Sequence, residues 1–321
     1  MTEELVSRLR AQGYQARVVP VQRLHDLRRE IEQFYSQGFF DQEFYRERLA
    51  IFAALGTPQD LPDARSLIVV AVPEPQRRIT FALSGGEDGE VSFVVPPTFF
   101  PMTALNRQVE RLVAEILAPG GHWVSRIVLP KKLLAVHSGL GVYGRNNLCY
   151  VPGLGSFHRL VALCSDLMCP DDDWLGLRQL ERCENCRACL HRCPTGAITA
   201  DRFLVRAERC LTFHNERCND IDFPDWIDPA WHNSLIGCSH CQNACPENRE
   251  FLDRVEAGAT FTSAETRLLL TGASFDQLPP EMADKFERFD MLDLLEVLPR
   301  NLRAVLNVTP SSRHVPAHQA G

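Results

Sequence analysis

Two cysteine runs between Cys183 and Pro246 constrain this chain more than any other feature. The first is Cys183-Glu-Asn-Cys186-Arg-Ala-Cys189-Leu-His-Arg-Cys193-Pro194, and the second is Cys238-Ser-His-Cys241-Gln-Asn-Ala-Cys245-Pro246. The first reads C-x2-C-x2-C-x3-C-P, a spacing in which three thiolates grip one iron–sulfur cube and the fourth reaches a second. The second run repeats that logic with its leading Cys missing. Each closing Pro lacks an N–H and turns the chain out of a helix. Zinc also uses paired C-x2-C steps, but it does not call for a third Cys at the same interval followed by Cys-Pro. The spacing therefore predicts two [4Fe-4S] clusters.

Two cubes take four thiolates each, and the two runs supply seven. Cys210, a short loop beyond Cys193-Pro194, is the natural eighth, with Cys218 its rival. Crossing the ligands gives Cys183, Cys186, Cys189 and Cys245 to one cube and Cys193, Cys210, Cys238 and Cys241 to the other. Cys149 and Cys164 sit in apparent strands and read as small buried hydrophobes.

At 321 residues the chain accommodates two domains or one with insertions, and its 45% hydrophobic and 23% charged content is that of an ordinary soluble globular protein. Met1-Thr-Glu-Glu4 shows no basic or apolar leader, so the twelve Cys read as reduced, cytoplasmic thiols available to metal. Apolar runs such as Leu67–Val72 fall far short of the roughly 20 residues that span a bilayer. A net charge of −7 argues against strong non-specific nucleic-acid binding, which needs clustered Lys and Arg. Of 34 basic residues only Lys131, Lys132 and Lys285 are lysines, which draws attention to the adjacent pair.

Apolar periodicity predicts helices over Thr2–Ala11, around Leu24, Leu27, Ile31 and Phe34, around Phe44, Leu49, Phe52 and Leu55, and over Thr103–Leu117. Strands are expected over Ala16–Val21, Ser66–Val72, Val91–Val95, Asn147–Val151 and Arg159–Leu163. The uninterrupted apolar run of Ser66–Val72 marks a central strand buried on both faces. Turns are expected at Gly85-Gly86. Helices Ser263–Leu270, Glu281–Phe289 and Leu292–Leu306 follow the cysteine runs, and a fraying tail is expected from Pro310. Strand, helix, strand in this order points to α/β layers.

Gly139-Leu-Gly141-Val-Tyr-Gly144 fits the dinucleotide-binding pattern G-x-G-x-x-G, with Asp166 at a suitable distance. Its context does not: a helix over Lys131–Ser138 precedes it and strand-like Leu148–Val151 follows, the reverse of what that fingerprint needs. Gly139 reads better as the left-handed residue that ends a helix.

Ser138-Gly-Leu-Gly-Val-Tyr-Gly-Arg-Asn-Asn147, Gly155-Ser156, Asp166, Cys183 to Ile198, Cys210, Cys238 to Pro246 and Arg300-Asn301 together resemble the epoxyqueuosine reductase family, from about residue 60 to 307. That family removes the epoxide oxygen from a modified tRNA base. The resemblance implies a cobalamin-dependent reductase in which two [4Fe-4S] clusters feed electrons to a corrinoid. The fold class it implies is α/β (α+β). Residues 1–172 would form the cofactor and substrate domain, 173–252 a double-cluster ferredoxin-like domain, and 253–321 a C-terminal helical segment. Gly139, Gly141, Gly144, Asn146, Gly155 and Ser156 would lie at the corrinoid, small residues letting a flat ring approach the backbone.

The chain departs from the family where substrate is handled. Ser125 stands where the family has an Asp that donates a proton, and Lys131 and Lys132 follow close by. A desolvated Lys can act as an acid near neutral pH or bind an anion. The expectation is thus a divergent iron–sulfur reductase, supplied by a low-potential flavodoxin or ferredoxin, acting on a small molecule or modified nucleoside. The alternative is a double-cluster electron carrier or corrinoid-activating reductase without its own small-molecule site.

Overall fold

The computed structural model describes residues 1–56, 62–83, 89–100, 103–169 and 171–306. The turns expected at Gly85-Gly86 and the tail from Pro310 lie outside them. Strands β1 (Gln15–Pro20), β2 (Ser66–Pro73), β3 (Gln76–Ala82), β4 (Glu90–Val95) and β5 (Val124–Arg126) come first. Then follow β6 (Val142–Tyr143), β7 (Cys149–Tyr150), β8 (His158–Ser165) and β9 (Val255–Phe261). The helices begin with α1 (Thr2–Ala11), α2 (Arg23–Ser36), α3 (Gln42–Phe44), α4 (Thr103–Leu117), α5 (Lys131–His137) and α6 (Ala188–Arg192). They end with α7 (Leu211–Asn215), α8 (His240–Asn243), α9 (Ser263–Leu270), α10 (Pro280–Arg288) and α11 (Leu298–Leu306).

The chain gathers into two compact units. One is Met1–Pro75, Met102–Cys210 and Cys241–Arg254; the other is Gln76–Pro101, Leu211–His240 and Val255–Gly321. Both are discontinuous in sequence, whereas the expected domains 1–172, 173–252 and 253–321 are continuous stretches.

In the first unit, β1, β2, β8 and β5 form a sheet in that order, with every neighbouring pair antiparallel. Because side chains alternate across a strand, β2 feeds two cores. Leu67, Val69 and Ala71 join Leu160, Ala162 and Cys164 beneath Leu24, Leu27 and Ile31 of α2 and Leu133, Leu134 and Val136 of α5. Ile68, Val70 and Val72 join Val161 and Leu163 beneath Leu5 and Leu9 of α1 and Val109, Val113 and Ile116 of α4. Helices therefore cover both faces, and β2 is buried from Ser66 to Val72 as its composition requires. Each such aliphatic side chain contributes about 1.5–3 kcal/mol relative to exposure, so a charge at Val69 or Val70 would break the layer.

The apolar spacing around Phe44–Leu55 does not give one regular helix. It is α3, then a π-helical turn over Tyr45–Leu49 and a 3-10 turn over Ala50–Ala54, with no residue of the three fully buried. In the second unit β3 lies between antiparallel β4 and parallel β9. Phe81 and Phe261 stack at 5.2 Å, and Phe261 meets Phe286 of α10 at 5.5 Å. The helix expected over Leu292–Leu306 is interrupted: a 3-10 turn at Leu292–Leu294 precedes α11. Among the described residues no helix is long and apolar enough to cross a membrane.

Candidate metal centre

Cys183, Cys186, Cys189 and Cys245 line one pocket of the first unit. A 3-10 turn at Glu181–Glu184 carries Cys183, and the first turn of α6 carries Cys189. Cys245 caps the 3-10 turn that Pro246 opens. Burial pushes the Cys189 thiol up to about 11, and the neighbouring Cys183, Cys245 and Cys186 push it the same way. Iron, which binds thiolate, must supply the free energy to deprotonate Cys189. Among the described residues no three His, Cys, Asp or Glu side chains are drawn together as one bare metal ion requires. The four thiols share the lining of this pocket.

The wall facing these thiols comes from the glycine motif. Gly144, Arg145, Asn146 and Tyr150 line the same pocket. The Arg145 N–H donates to Cys183 Sγ at 3.4 Å, and its guanidinium donates to the Cys183 carbonyl. Tyr150 is hydrogen-bonded to Cys245 and accepts from Asn146 Nδ2 at 3.0 Å. Burial holds the Tyr150 phenol far above its ordinary range, so it stays protonated and donates to sulfur.

The glycines let this happen by allowing β6 and β7 to close on each other. A Cβ on Gly141 would meet the Tyr150 carbonyl at 2.7 Å and Cys149 Sγ at 2.8 Å, and one on Gly144 would strike the Tyr150 ring. Gly139, with φ +75°, ends α5: its N–H donates to the Val136 carbonyl and that of Leu140 to Ala135, the paired bonds of a left-handed helix stop.

Hydrogen bonds to cluster sulfur stabilise the reduced, more negative state. Tyr150→Phe removes one, a differential loss of roughly 0.5–1.5 kcal/mol. The first cube's midpoint potential is expected to fall by about 20–60 mV, the one-electron equivalent, in a spectroelectrochemical titration; an unmoved potential would remove Tyr150 from this role.

Gly155 and Ser156 form a latch. The Ser156 N–H donates to Asn248 Oδ1 at 2.9 Å, and Ser156 Oγ accepts from Asn248 Nδ2 at 2.8 Å and Gln242 Nε2 at 2.9 Å. Ser156 is 1% exposed and Gln242 and Asn248 are fully buried. Gln242 and Asn248 flank Cys245 in sequence, so the latch ties the second cysteine run to the loop before β8. Neither amide was legible as functional, since Gln and Asn near a Cys-Pro step carry no spacing signal.

The other expected ligands occupy varied settings. Cys193 follows α6 beside Thr195 Oγ1 at 3.5 Å, Cys210 follows a 3-10 turn at Ala207–Arg209, and Cys241 lies in α8. In the second unit Cys238 is buried with Leu211 and Ile227, while Cys218 is exposed. Cys149 and Cys164 lie in the core, and burial pushes Cys149 up to about 12.

Ser125 is half-buried in β5, where its carbonyl accepts from Cys164 Sγ at 3.6 Å. Lys132 donates to the Asn147 carbonyl at 3.0 Å and so pins the hairpin end. Lys131 is half-buried, and burial beside the Arg159 guanidinium lowers it to about 8.

A model of the 4Fe-4S double cluster binding domain matches residues 182–248, which supports iron–sulfur over zinc. The epoxyqueuosine reductase of Staphylococcus aureus is 28% identical over 242 residues, 70% of this chain and 58% of that protein. Over that stretch the chain is similar to the epoxyqueuosine reductases. The Escherichia coli enzyme is 35% identical over 116 residues, 36% of this chain and 29% of its own length. The chain thus spans less than two thirds of these curated relatives. A solved epoxyqueuosine reductase with an epoxyqueuosine-modified tRNA-Tyr stem loop has a TM-score of 0.62 and 19% identity, covering 95% of this chain and 80% of that one. That likeness establishes the shared fold.

Proposed function

We propose that this chain is an iron–sulfur reductase that takes single electrons from a flavodoxin- or ferredoxin-type donor through two [4Fe-4S] clusters. Four thiols around one pocket, with an Arg145 N–H and the Tyr150 hydroxyl aimed at two of them, carry the reading. Cys193, Cys210, Cys238 and Cys241 hold the second cube by their spacing. The protein's part is placement and potential, while the electron chemistry belongs to the cofactors.

The resemblance supplies the rest: a corrinoid as electron acceptor, and an epoxide or similar leaving oxygen on a small molecule or modified nucleoside as substrate. Cobalamin, when bound, would provide the strongly reducing centre. Of the six residues assigned to it, Asn146 and Ser156 commit polar atoms inside the protein, and Gly139, Gly141, Gly144 and Gly155 serve turns and close packing. That observation favours a second reading, a double-cluster carrier without a corrinoid. Anaerobic reconstitution with iron, sulfide and cobalamin separates them. A cobalt-to-chain ratio near one supports the reductase, and about eight irons without cobalt supports the carrier.

Ser125 has no proton to give at neutral pH, and Lys131 takes the acid role in this proposal. A Lys lowered to about 8 is mostly protonated at pH 7 and loses its proton as pH rises through 8. Turnover is expected to fall above about pH 8, and Lys131→Ala should abolish that limb. A profile unchanged by the substitution would rule the acid role out.

A further inference from the structure

Cys238 is bracketed by two side-chain amides. On its N-terminal side, the Gly237 N–H donates to Asn215 Oδ1 at 2.8 Å, and Asn215 Nδ2 donates back to the Gly237 carbonyl. On its C-terminal side, the Ser239 N–H donates to Asn233 Oδ1 at 3.2 Å, and Asn233 Nδ2 donates to Ser239 Oγ at 3.0 Å. Each amide thus makes a two-point contact with a neighbour of the cysteine, one at position −1 and one at +1.

Gly237 sits at φ +72°, and a Cβ there would run into the Phe99 ring. The backbone is therefore in a conformation that only Gly adopts at little cost, with no room to relax. Asn215, 1% exposed, ends α7. Its own carbonyl accepts from Asn301 Nδ2 at 2.7 Å, and the same Asn301 amide donates to the Leu235 carbonyl at 2.8 Å. Asn301 lies in α11, 1% exposed, so the last helix of the described chain grips both segments that converge on Cys238.

Such an arrangement exceeds what a buried hydrophobe needs. A core Cys such as Cys164 is held by its strand and its packing, whereas here two side-chain amides, Asn215 buried and Asn233 half-buried, define the backbone on either side of one thiol. We propose that Asn215 and Asn233 are positioning residues that pre-set Cys238 for its cube, and that Asn301 transmits this constraint from α11. The inference rests on the reading of Cys238 as a ligand of the second cube. A preset ligand matters because the geometry of a site must be imposed by a surrounding shell, and a loosely held thiol would be placed by the cluster itself.

The test uses the full-length chain, loaded anaerobically with iron and sulfide. Asn215→Ala and Asn233→Ala should each drop iron from about eight to about four per chain, with the first cube's spectrum and midpoint potential unchanged. Gly237→Ala should do the same. Leu302→Ala, in the apolar face of α11 and fully buried, is the control for lost stability. Retention of iron by Leu302→Ala at an equal loss in Tm supports positioning; equal iron loss overturns it. Full iron in both Asn variants, with Cys238→Ala losing half, overturns the proposal while sparing the ligand assignment. Full iron in Cys238→Ala overturns the assignment and the proposal with it.

Discussion

Replacing Cys245 with Ala is expected to halve the iron of the reconstituted chain, from about eight to about four per chain, while leaving the other cube's spectrum in place. The crossed assignment makes this outcome specific. Cys245 comes from the second cysteine run yet lines the pocket of Cys183, Cys186 and Cys189, so its loss must strip the cube named after the first run. Three remaining thiolates leave one iron without a protein ligand. Iron analysis with low-temperature EPR of the reduced protein reads the result. Loss of the cube that depends on Cys193 would refute the crossing. The same measurement resolves the eighth ligand: Cys210→Ala should lose iron and Cys218→Ala, at an exposed position, should not.

Asn248→Ala should cost about 2–5 kcal/mol of stability, a large effect for one side chain. Asn248 is fully buried and accepts from the Ser156 N–H, donates to Ser156 Oγ, and donates to the Gln242 carbonyl at 2.8 Å. Its truncation leaves buried donors and acceptors unpaired, at about 1–3 kcal/mol each. Urea unfolding at neutral pH should show a lower midpoint with an unchanged slope. A loss below about 1 kcal/mol would mean that water enters and replaces the amide. Because the latch anchors the segment bearing Cys245, the variant should also release iron from the first cube faster under a chelator.

The layered core was legible because burial on both faces writes an uninterrupted apolar run, as in Ser66–Val72, and helix faces write a 3.6 period, as in Thr103–Leu117. β3, β5, β6 and β9 were not expected. β5 is three residues long, and Val255-Glu-Ala-Gly-Ala-Thr-Phe261 alternates too weakly to announce a strand; it is one because β3 offers it a parallel edge. The helical spacing of Phe44–Leu55 was real, but Tyr45, Leu49 and Phe52 reach the core only partly buried, along π and 3-10 turns instead of one regular helix.

In the site, the sequence determined the metal chemistry by itself, because a cube's ligands must recur at short fixed intervals and those intervals are written in the chain. It also determined that Gly139 stops a helix. Only the tertiary structure decided what the rest of the glycine motif is for. Gly141 and Gly144 remove the side chains that would keep β6 from β7, and the closed hairpin brings Arg145 and Tyr150, distant in sequence from Cys183 and Cys245, within hydrogen-bond reach of their sulfurs. A cysteine spacing is a local property that survives in one dimension; a donor aimed at a sulfur depends on two segments meeting, and no interval in the sequence records it.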